Sequence, residues 1–179
     1  LYTQIGISLK EIGSLKKAKQ AFLKSIELSA NNDLCYLNLG TTLIELGELK
    51  YAEEVTQKAI SLNPNLILGY FNLSLILYKL NNLFKAEEYI LKALSLNPDN
   101  QDLKVTHAQI LIGLGRLDEA EKLSREMIQI NPDLAKSYSN LGFILMKQSK
   151  LNEAELATKK ALKIEPNSPE FLTNLGKIL

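Results

Sequence analysis

The sequence predicts an all-α fold in which antiparallel helix pairs stack on one another in chain order. Two observations support this prediction. Pro64, Pro98, Pro132 and Pro166 each stand 34 residues apart, and an internal period of this length is typical of stacked repeats. Within each period, apolar residues recur at intervals of three or four, which is the spacing of one face of an α-helix. We therefore expect two helices in each period.

The proline spacing divides the chain into five repeats and a stub, without insertion or deletion. Each repeat carries the same leucine and the same alanine at equivalent positions: Leu15, Leu49, Leu83, Leu117 and Leu151, then Ala18, Ala52, Ala86, Ala120 and Ala154. The predicted repeats span residues 1–32, 33–66, 67–100, 101–134 and 135–168, with a partial repeat at 169–179. We expect them to form a single array. Because the chain opens with Leu1, we expect it to be a piece of a longer protein.

Helix ends are also predicted by residue type. Gly13, Gly47 and Gly115 are expected to end first helices, where a left-handed residue commonly closes the last turn. Asn81 stands at the same place and can also adopt that conformation, and Ser149 is the weaker substitute there. An Asn-Pro or Glu-Pro pair is expected to end the second helix, since the residue before proline is pushed out of the α region.

A small residue occupies the middle of every first helix. The series is Gly6, Gly40, Ser74, Ala108, Gly142 and Gly176. Glycine at such a position costs about 1 kcal/mol relative to alanine. We expect the second helix to approach closely there, with Ala52 or Ala154 crossing at that point, so that interhelical contact offsets the cost.

These residues carry a family resemblance. The pattern Tyr36, Leu39, Gly40, Leu43, Ala52, Ala59, Pro64 resembles the tetratricopeptide repeat, a 34-residue helix-turn-helix unit. The resemblance covers the whole chain and implies a right-handed superhelical solenoid of antiparallel helix pairs, whose concave surface is lined by first helices. The fourth repeat departs most, with Lys104 at the aromatic position, His107 at the leucine position and Met127 in place of alanine.

Composition excludes several classes of protein. The 21 basic and 20 acidic side chains give a formal net charge of +1, which leaves no basic excess for nucleic acid or for a membrane surface. No apolar run is long enough to span a membrane, and no signal peptide is recognisable. We therefore expect a cytoplasmic protein.

No catalytic, cofactor-binding or metal-binding residue is predicted. One cysteine and one histidine cannot form a zinc site. The helical register of His107 predicts a packed structural histidine, and Cys35 reads as a small apolar residue. Gly113 and Gly115 resemble the start of a dinucleotide loop, but Asp118 stands where the third glycine belongs and no strand precedes them. We expect this segment not to be an enzyme.

A row of amides is predicted on the concave surface. Its members fall at equivalent positions, with Thr106 interrupting: Gln4, Asn38, Asn72, Asn140 and Asn174. A carboxamide can pair with both the N–H and the C=O of an extended peptide, and the arrangement resembles the asparagine ladder of O-linked N-acetylglucosamine transferases. The alternative is that these amides only bond to neighbouring repeats.

Beside the amides, the same register predicts a largely apolar lining. It comprises Leu37, Thr41, Phe71, Leu75, Tyr78, Val105, Gln109, Ile112, Phe143 and Met146. Exposed apolar patches with aromatic residues and methionine commonly mark interaction sites. The alternative is that neighbouring helices cover some of these side chains as part of the core.

The resulting functional hypothesis is a non-enzymatic scaffold that binds a peptide or a segment of a partner protein in its concave groove. A second hypothesis makes the array the substrate-recruiting arm of a larger enzyme, such as a glycosyltransferase or other transferase. A third is a structural self-assembly module, because Leu172, Leu175 and Leu179 give the stub an apolar face that no second helix covers, through which copies could stack end to end.

Overall fold

A computed structural model describes all 179 residues, which form eleven α-helices and no β-strand. The helices are α1 (Tyr2–Glu11), α2 (Leu15–Leu28), α3 (Asp33–Glu45), α4 (Leu49–Leu62), α5 (Ile67–Lys79), α6 (Leu83–Leu96), α7 (Gln101–Gly113), α8 (Leu117–Ile130), α9 (Ala135–Lys147), α10 (Leu151–Ile164) and α11 (Pro169–Ile178). The odd-numbered helices are the first helices of the repeats, and the even-numbered helices are the second. The predicted all-α fold is confirmed.

The 34-residue period is visible in the helix boundaries themselves. The helices α3, α5, α7 and α9 begin at Asp33, Ile67, Gln101 and Ala135, each 34 residues after the one before. The second helices follow the same interval. The period does not slip in the fourth repeat, although that repeat departs most from the sequence pattern.

Two compact units make up the chain. Unit 1 is Leu1–Pro98 and contains α1 to α6, and unit 2 is Asp99–Leu179 and contains α7 to α11. The core of unit 1 includes Phe22, Leu39 and Leu43, all fully buried. In unit 2 several smaller clusters of buried side chains join each first helix to the second helices beside it. Each pair therefore buries its apolar stripe against a neighbour as well as within itself.

All five first helices that precede a second helix end in the predicted left-handed turn. The φ angles are +75° at Gly13, +77° at Gly47 and +76° at Gly115, and +58° at Asn81 and +62° at Ser149. In every case the next N–H donates back to a leucine carbonyl five residues earlier at 2.8–2.9 Å, as in the Schellman motif. The turn geometry is thus the same whichever residue occupies the left-handed position.

Ser149 holds this left-handed conformation against the steric cost of its Cβ. We expect Ser149→Gly to raise the free energy of unfolding by about 1 kcal/mol, because glycine adopts positive φ without that cost. Urea denaturation measures the change. Gly47→Ser supplies the matched reverse substitution and is expected to lower stability by a similar amount. Equal stability of all three chains would contradict the strain at this turn.

The close approach of paired helices at the small mid-helix residue is confirmed. A Cβ added to Gly6 would lie 2.5 Å from Cε1 of Phe22, and one added to Gly40 would meet Oγ1 of Thr56. The expectation that Ala52 provides the crossing side chain is wrong, because the residue one turn later on the second helix crosses instead. At Gly142 of the fifth repeat, Thr158 crosses in the same way, and the backbone oxygen of Ala154 also lies 3.2 Å from an added Cβ, as expected for Ala154.

In unit 2, Glu121 ties α8 to the turn after α9. Its carboxylate accepts hydrogen bonds from Arg125 Nε at 2.8 Å and from Gln148 Nε2 at 3.0 Å, and Lys150 Nζ lies 4.0 Å away. The hydrogen bond from Arg125 is the main reason that the pKa of Glu121 lies below its ordinary value. The hydrogen bond from Gln148 and the positive charge of Lys150 lower this pKa further, and partial burial opposes the shift. The carboxylate therefore stabilises the contact between repeats while it is ionised.

A depressed pKa in the folded chain makes this contribution depend on pH. It is fully present above the pKa of an unfolded glutamate and is lost as the pH falls through the lower folded value. We expect Glu121→Gln to destabilise the protein at neutral pH and to make progressively less difference as the pH falls into the acid range. Urea titrations across that range measure this. Glu126→Gln, an exposed position on the same helix, is the control, and a pH-independent gap for Glu121→Gln would contradict the linkage.

Candidate functional site

The first helices form the inner side of each unit. In unit 1, α1 contacts α3 and α3 contacts α5, and in unit 2, α7 contacts α9 and α9 contacts α11. Consecutive second helices within a unit make no such contact. Because neighbouring helices lie closer on one side of the stack than on the other, the closer side is the inner one. We call the surface of the first helices on this side the inner face.

Two of the predicted amides bond to the preceding repeat. Asn140 Nδ2 donates to the carbonyl oxygen of Val105 at 3.4 Å, and Asn174 Nδ2 donates to Ser139 Oγ at 3.2 Å. Each bond spans 35 residues and joins consecutive first helices of unit 2. Asn140 is also buried, as is Asn72 in unit 1. At Asn140 and Asn174 the amide N–H group therefore already donates a hydrogen bond to the preceding repeat. This is the alternative role that the sequence left open for the row of amides.

The other members of the row are more open. Gln4 is exposed, and Asn38 is half-buried with Nδ2 donating to the Leu34 carbonyl of its own helix at 2.8 Å. Thr106 interrupts the row and donates to the Asp102 carbonyl. In unit 1, Gln4 and Asn38 therefore keep surface for a ligand, whereas Asn72 does not. Asn38 lies on α3, the middle first helix of that unit.

The apolar lining also divides by exposure. Leu37 and Val105 are buried, so they belong to the packed interior and present almost no surface. Most of the remainder is half-buried: Thr41, Phe71, Leu75, Gln109, Ile112, Phe143 and Met146. Tyr78 is 39% exposed. Both expectations for this lining therefore describe part of it, since some members are core and others are accessible.

An apolar stripe runs along α5 on the inner face of unit 1. Phe71, Leu75 and Tyr78 lie on it, and Leu68, which is 58% exposed, extends it by one turn. These four positions are spaced three, four and three residues apart, so they share one side of the helix. Sequence reasoning missed Leu68, although the same spacing carried one turn back from Phe71 would have found it. We call these four residues the α5 stripe.

Polar groups adjoin the apolar surface in both units. In unit 1, Lys10 Nζ donates to Thr41 Oγ1 at 2.8 Å and lies 3.3 Å from a carboxylate oxygen of Glu45. In unit 2, Lys147 Nζ lies 5.4 Å from the centroid of the Phe143 ring, within the range of a cation–π contact. The inner face therefore offers charged and hydroxyl groups at the edge of its apolar patches.

The residues that the sequence raised as candidates for chemistry take the following positions in the fold. Cys35 is fully buried, and its Sγ lies 3.4 Å from the Phe22 carbonyl oxygen. His107 is half-buried on α7, and Gly113 to Gly115 form a helix end. The structure contains no group of three His, Cys, Asp or Glu side chains placed to hold a metal ion. Its helices are all too short or too polar to cross a bilayer.

The two kinds of amide are separable by mutation. We expect Asn140→Ala to lower the free energy of unfolding by about 0.5–1.5 kcal/mol, because it removes a buried hydrogen bond between repeats. Asn38→Ala, which removes only a bond within one helical turn of an accessible side chain, is the matched comparison and is expected to change stability less. Urea denaturation measures both, and a larger loss for Asn38→Ala would contradict this division.

Repeated helical hairpins, a recurrent left-handed turn and an inner face lined by first helices define a helical repeat protein of the 34-residue type. Three family models described as Tetratricopeptide repeat together match five segments of the chain: residues 1–32, 35–66, 67–100, 102–134 and 135–168. The chain belongs to the tetratricopeptide repeat family. No curated protein sequence shows significant similarity to it.

Solved structures with the same fold cover nearly the whole chain. A structure described as YrrB, a TPR protein with an unusual peptide-binding site, has a TM-score of 0.76 at 22% identity and covers 96% of this chain and 89% of its own. TTC0263, a thermophilic TPR protein in Thermus thermophilus, has a TM-score of 0.79 at 20% identity, covering 99% and 96%. A MamA protein has a TM-score of 0.78 at 24% identity, covering 92% and 90%. These likenesses are in fold.

Proposed function

We propose that the chain is a protein-interaction scaffold and that the inner face of unit 1 binds a segment of a partner protein through apolar anchors. The observation that carries this proposal is the α5 stripe. It places two aromatic and two leucine side chains on one accessible side of a helix whose other side already packs in the core. A helix that is apolar on both sides needs a second apolar neighbour.

The chemistry of the stripe suits a protein ligand. Aromatic side chains bury large areas at little cost in conformational entropy, and they are enriched among the residues that dominate binding energy. Phe71 and Tyr78 are the two anchors of this kind in the stripe. Asn38 and Thr41, on the neighbouring helix α3, supply donors and acceptors that a peptide backbone could use. The resulting surface combines an apolar centre with a polar edge, as interfaces commonly do.

Family membership supports the same function. Stacked repeats of this class create extended inner surfaces that serve as binding sites, and YrrB, a TPR protein of the same fold, has a peptide-binding site. In unit 2, the half-buried Phe143 and Met146 give the inner face a smaller apolar patch of similar character. We place the principal anchors in unit 1 because its stripe is longer and more exposed.

Selection from a random peptide library, with the purified chain as bait, tests the proposal. Peptides rich in apolar residues are expected, and their affinity is measured by fluorescence anisotropy. We expect Phe71→Ala and Tyr78→Ala each to weaken binding by about 2 kcal/mol, or roughly thirtyfold in Kd, as for anchor residues of known interfaces.

Phe84 provides the matched control. It is an aromatic residue of the same unit, on α6, and is 80% exposed. If an exposed aromatic ring were sufficient for binding, Phe84→Ala would weaken it as much as Phe71→Ala. Equal losses at the two positions, or none at Phe71 and Tyr78, would overturn the proposed site.

A further inference from the structure

Unit 2 contains a groove on the side opposite its inner face. The second helices α8 and α10 stand apart there, and α9 forms the floor between them. The groove has a volume of about 500 Å³ and is open to solvent. Tyr138, Leu141 and Leu145 lie at its floor, and Arg125 and Leu156 lie on its two walls. None of its lining residues belongs to the α5 stripe or to the predicted row of amides.

One of the residues of α10 that line the groove, Ala157, is small. In unit 1, the residues 68 positions earlier fill the corresponding space, since the Tyr89 ring stacks on the Tyr70 ring with 6.3 Å between centroids. Tyr138 is the equivalent of Tyr70, but Ala157 stands where Tyr89 would be. With alanine there, Tyr138 keeps part of its surface in the groove, whereas Leu141 and Leu145 are buried beneath it. A close copy of the filled arrangement is therefore present in the same chain.

Cations dominate the walls of the groove. Four of its lining residues are basic and one, Glu153, is acidic. Arg125 and Lys159 are each paired with a carboxylate of their own helix, at 2.8 and 2.6 Å. Lys160 and Lys163 also line the groove and have no ion pair in the structure. Their charges, one turn apart, are available to a ligand.

An exposed leucine stands beside these lysines. Leu156 is 76% exposed and lies on the same wall, one turn before Lys160. A large apolar side chain left in water is stabilised when a partner buries it. The wall thus offers apolar contact and positive charge along one side of α10.

We propose that this groove binds an amphipathic helical segment of a partner protein, with its apolar residues against Tyr138 and Leu156 and its acidic residues against Lys160 and Lys163. Helices that dock in grooves use anchors spaced three or four residues apart, and two helical walls define such a path. Two separate unpaired lysines suit a segment with several carboxylates better than a ligand with one, such as a fatty acid. Charge complementarity of this kind favours acidic partners over basic ones.

The direct test uses two synthetic amphipathic peptides of about 14 residues, long enough for several anchors. Both carry leucines at one helical face, and they differ only in having glutamate or lysine beside that face. Fluorescence anisotropy measures binding to the full chain. We expect the glutamate peptide to bind at least about tenfold more tightly, and its ¹⁵N chemical-shift changes to map to α8, α9 and α10.

Ala157→Tyr closes the groove with a residue that the fold already accommodates at Tyr89. We expect this variant to lose binding of the glutamate peptide by about tenfold or more. The paired reversal Lys160→Glu with Lys163→Glu is expected to have a similar effect while leaving the apolar floor intact, and both lysines are exposed, so folding does not depend on them. The matched control reverses the exposed Lys16 and Lys17 of unit 1 and should leave binding unchanged.

Several results would overturn this inference. The peptides could bind equally, the Ala157→Tyr chain could bind as tightly as the native chain, or the Lys16 and Lys17 reversal could weaken binding as much as that of Lys160 and Lys163. Displacement of the glutamate peptide by dodecanoate at a lower concentration would assign the groove to an anionic amphiphile. A dimer of the native chain that Ala157→Tyr dissociates, measured by sedimentation, would assign it to a second copy. Phe71→Ala should not affect the peptide in any case, which separates this site from the inner face.

Discussion

Phe22→Ala is expected to lower the free energy of unfolding by about 3–5 kcal/mol, the range for truncating a buried phenylalanine. Phe22 is fully buried, and its ring lies over Gly6 so closely that no side chain fits between the two helices. The Phe22 carbonyl oxygen also lies beside the buried Cys35 of the next repeat. Truncation would leave a cavity between α1 and α2, and the closely packed helices around it could move in to fill it only in part.

Urea denaturation followed by circular dichroism measures this loss. The control is Phe84→Ala, which removes the same atoms from an 80% exposed position of the same unit and is expected to change stability by less than about 0.5 kcal/mol. If both substitutions cost the same, the stability of the first repeat would not depend on the buried ring.

Gly40→Leu is expected to lower the free energy of unfolding by about 1–3 kcal/mol through overpacking. Even the first carbon of a side chain at this position would meet Oγ1 of Thr56, and Val55 lies 3.6 Å from the same point. Both Thr56 and Gly40 are buried between α3 and α4. The helices would have to separate to admit leucine, and this would disturb the pair at its crossing point.

Gly176 makes this prediction sharper, because it occupies the same place in the period but has no atom within 4 Å of an added Cβ. Gly176→Leu should therefore be neutral or stabilising by up to about 1 kcal/mol, since leucine is a better helix former than glycine. Thermal and urea unfolding of both variants measure the difference. A melting temperature unchanged by Gly40→Leu would refute the packing, and equal losses at both positions would show that the cost is not steric.

Much of the fold could be predicted because its determinants are local. The prolines and the residues at the left-handed turns act on the backbone of their own neighbourhood, so Asn81 and Ser149 could be assigned the same turn as the glycines. The side chain that crosses a mid-helix glycine could not be assigned correctly. Helical periodicity identifies the side of the helix, but the turn on which Thr56 contacts Gly40 depends on the crossing angle and on the offset of the two helices.

The candidate surfaces were less predictable for a related reason. Leu37 and Phe71 occupy equivalent positions in successive repeats, yet one is buried and the other is half-exposed, because exposure depends on the side chains that neighbouring helices contribute. The groove over α9 is lined by the small Ala157, and a small side chain taken by itself does not indicate a groove. Alignment of the repeats places Ala157 at the position of Tyr89, and this difference is the signal in the sequence that indicates the groove.

The invariant spacing of the helix starts has a consequence for how the length of such a chain can change. Each added residue rotates the rest of the same helix by about 100°. A single insertion in α3 before Gly40 would therefore expose part of its buried side to solvent and would move Gly40 away from Thr56. Removal or duplication of a whole 34-residue period restores every hairpin to its original phase. Within the helices of this chain, changes of length that preserve the packing should therefore come as whole periods.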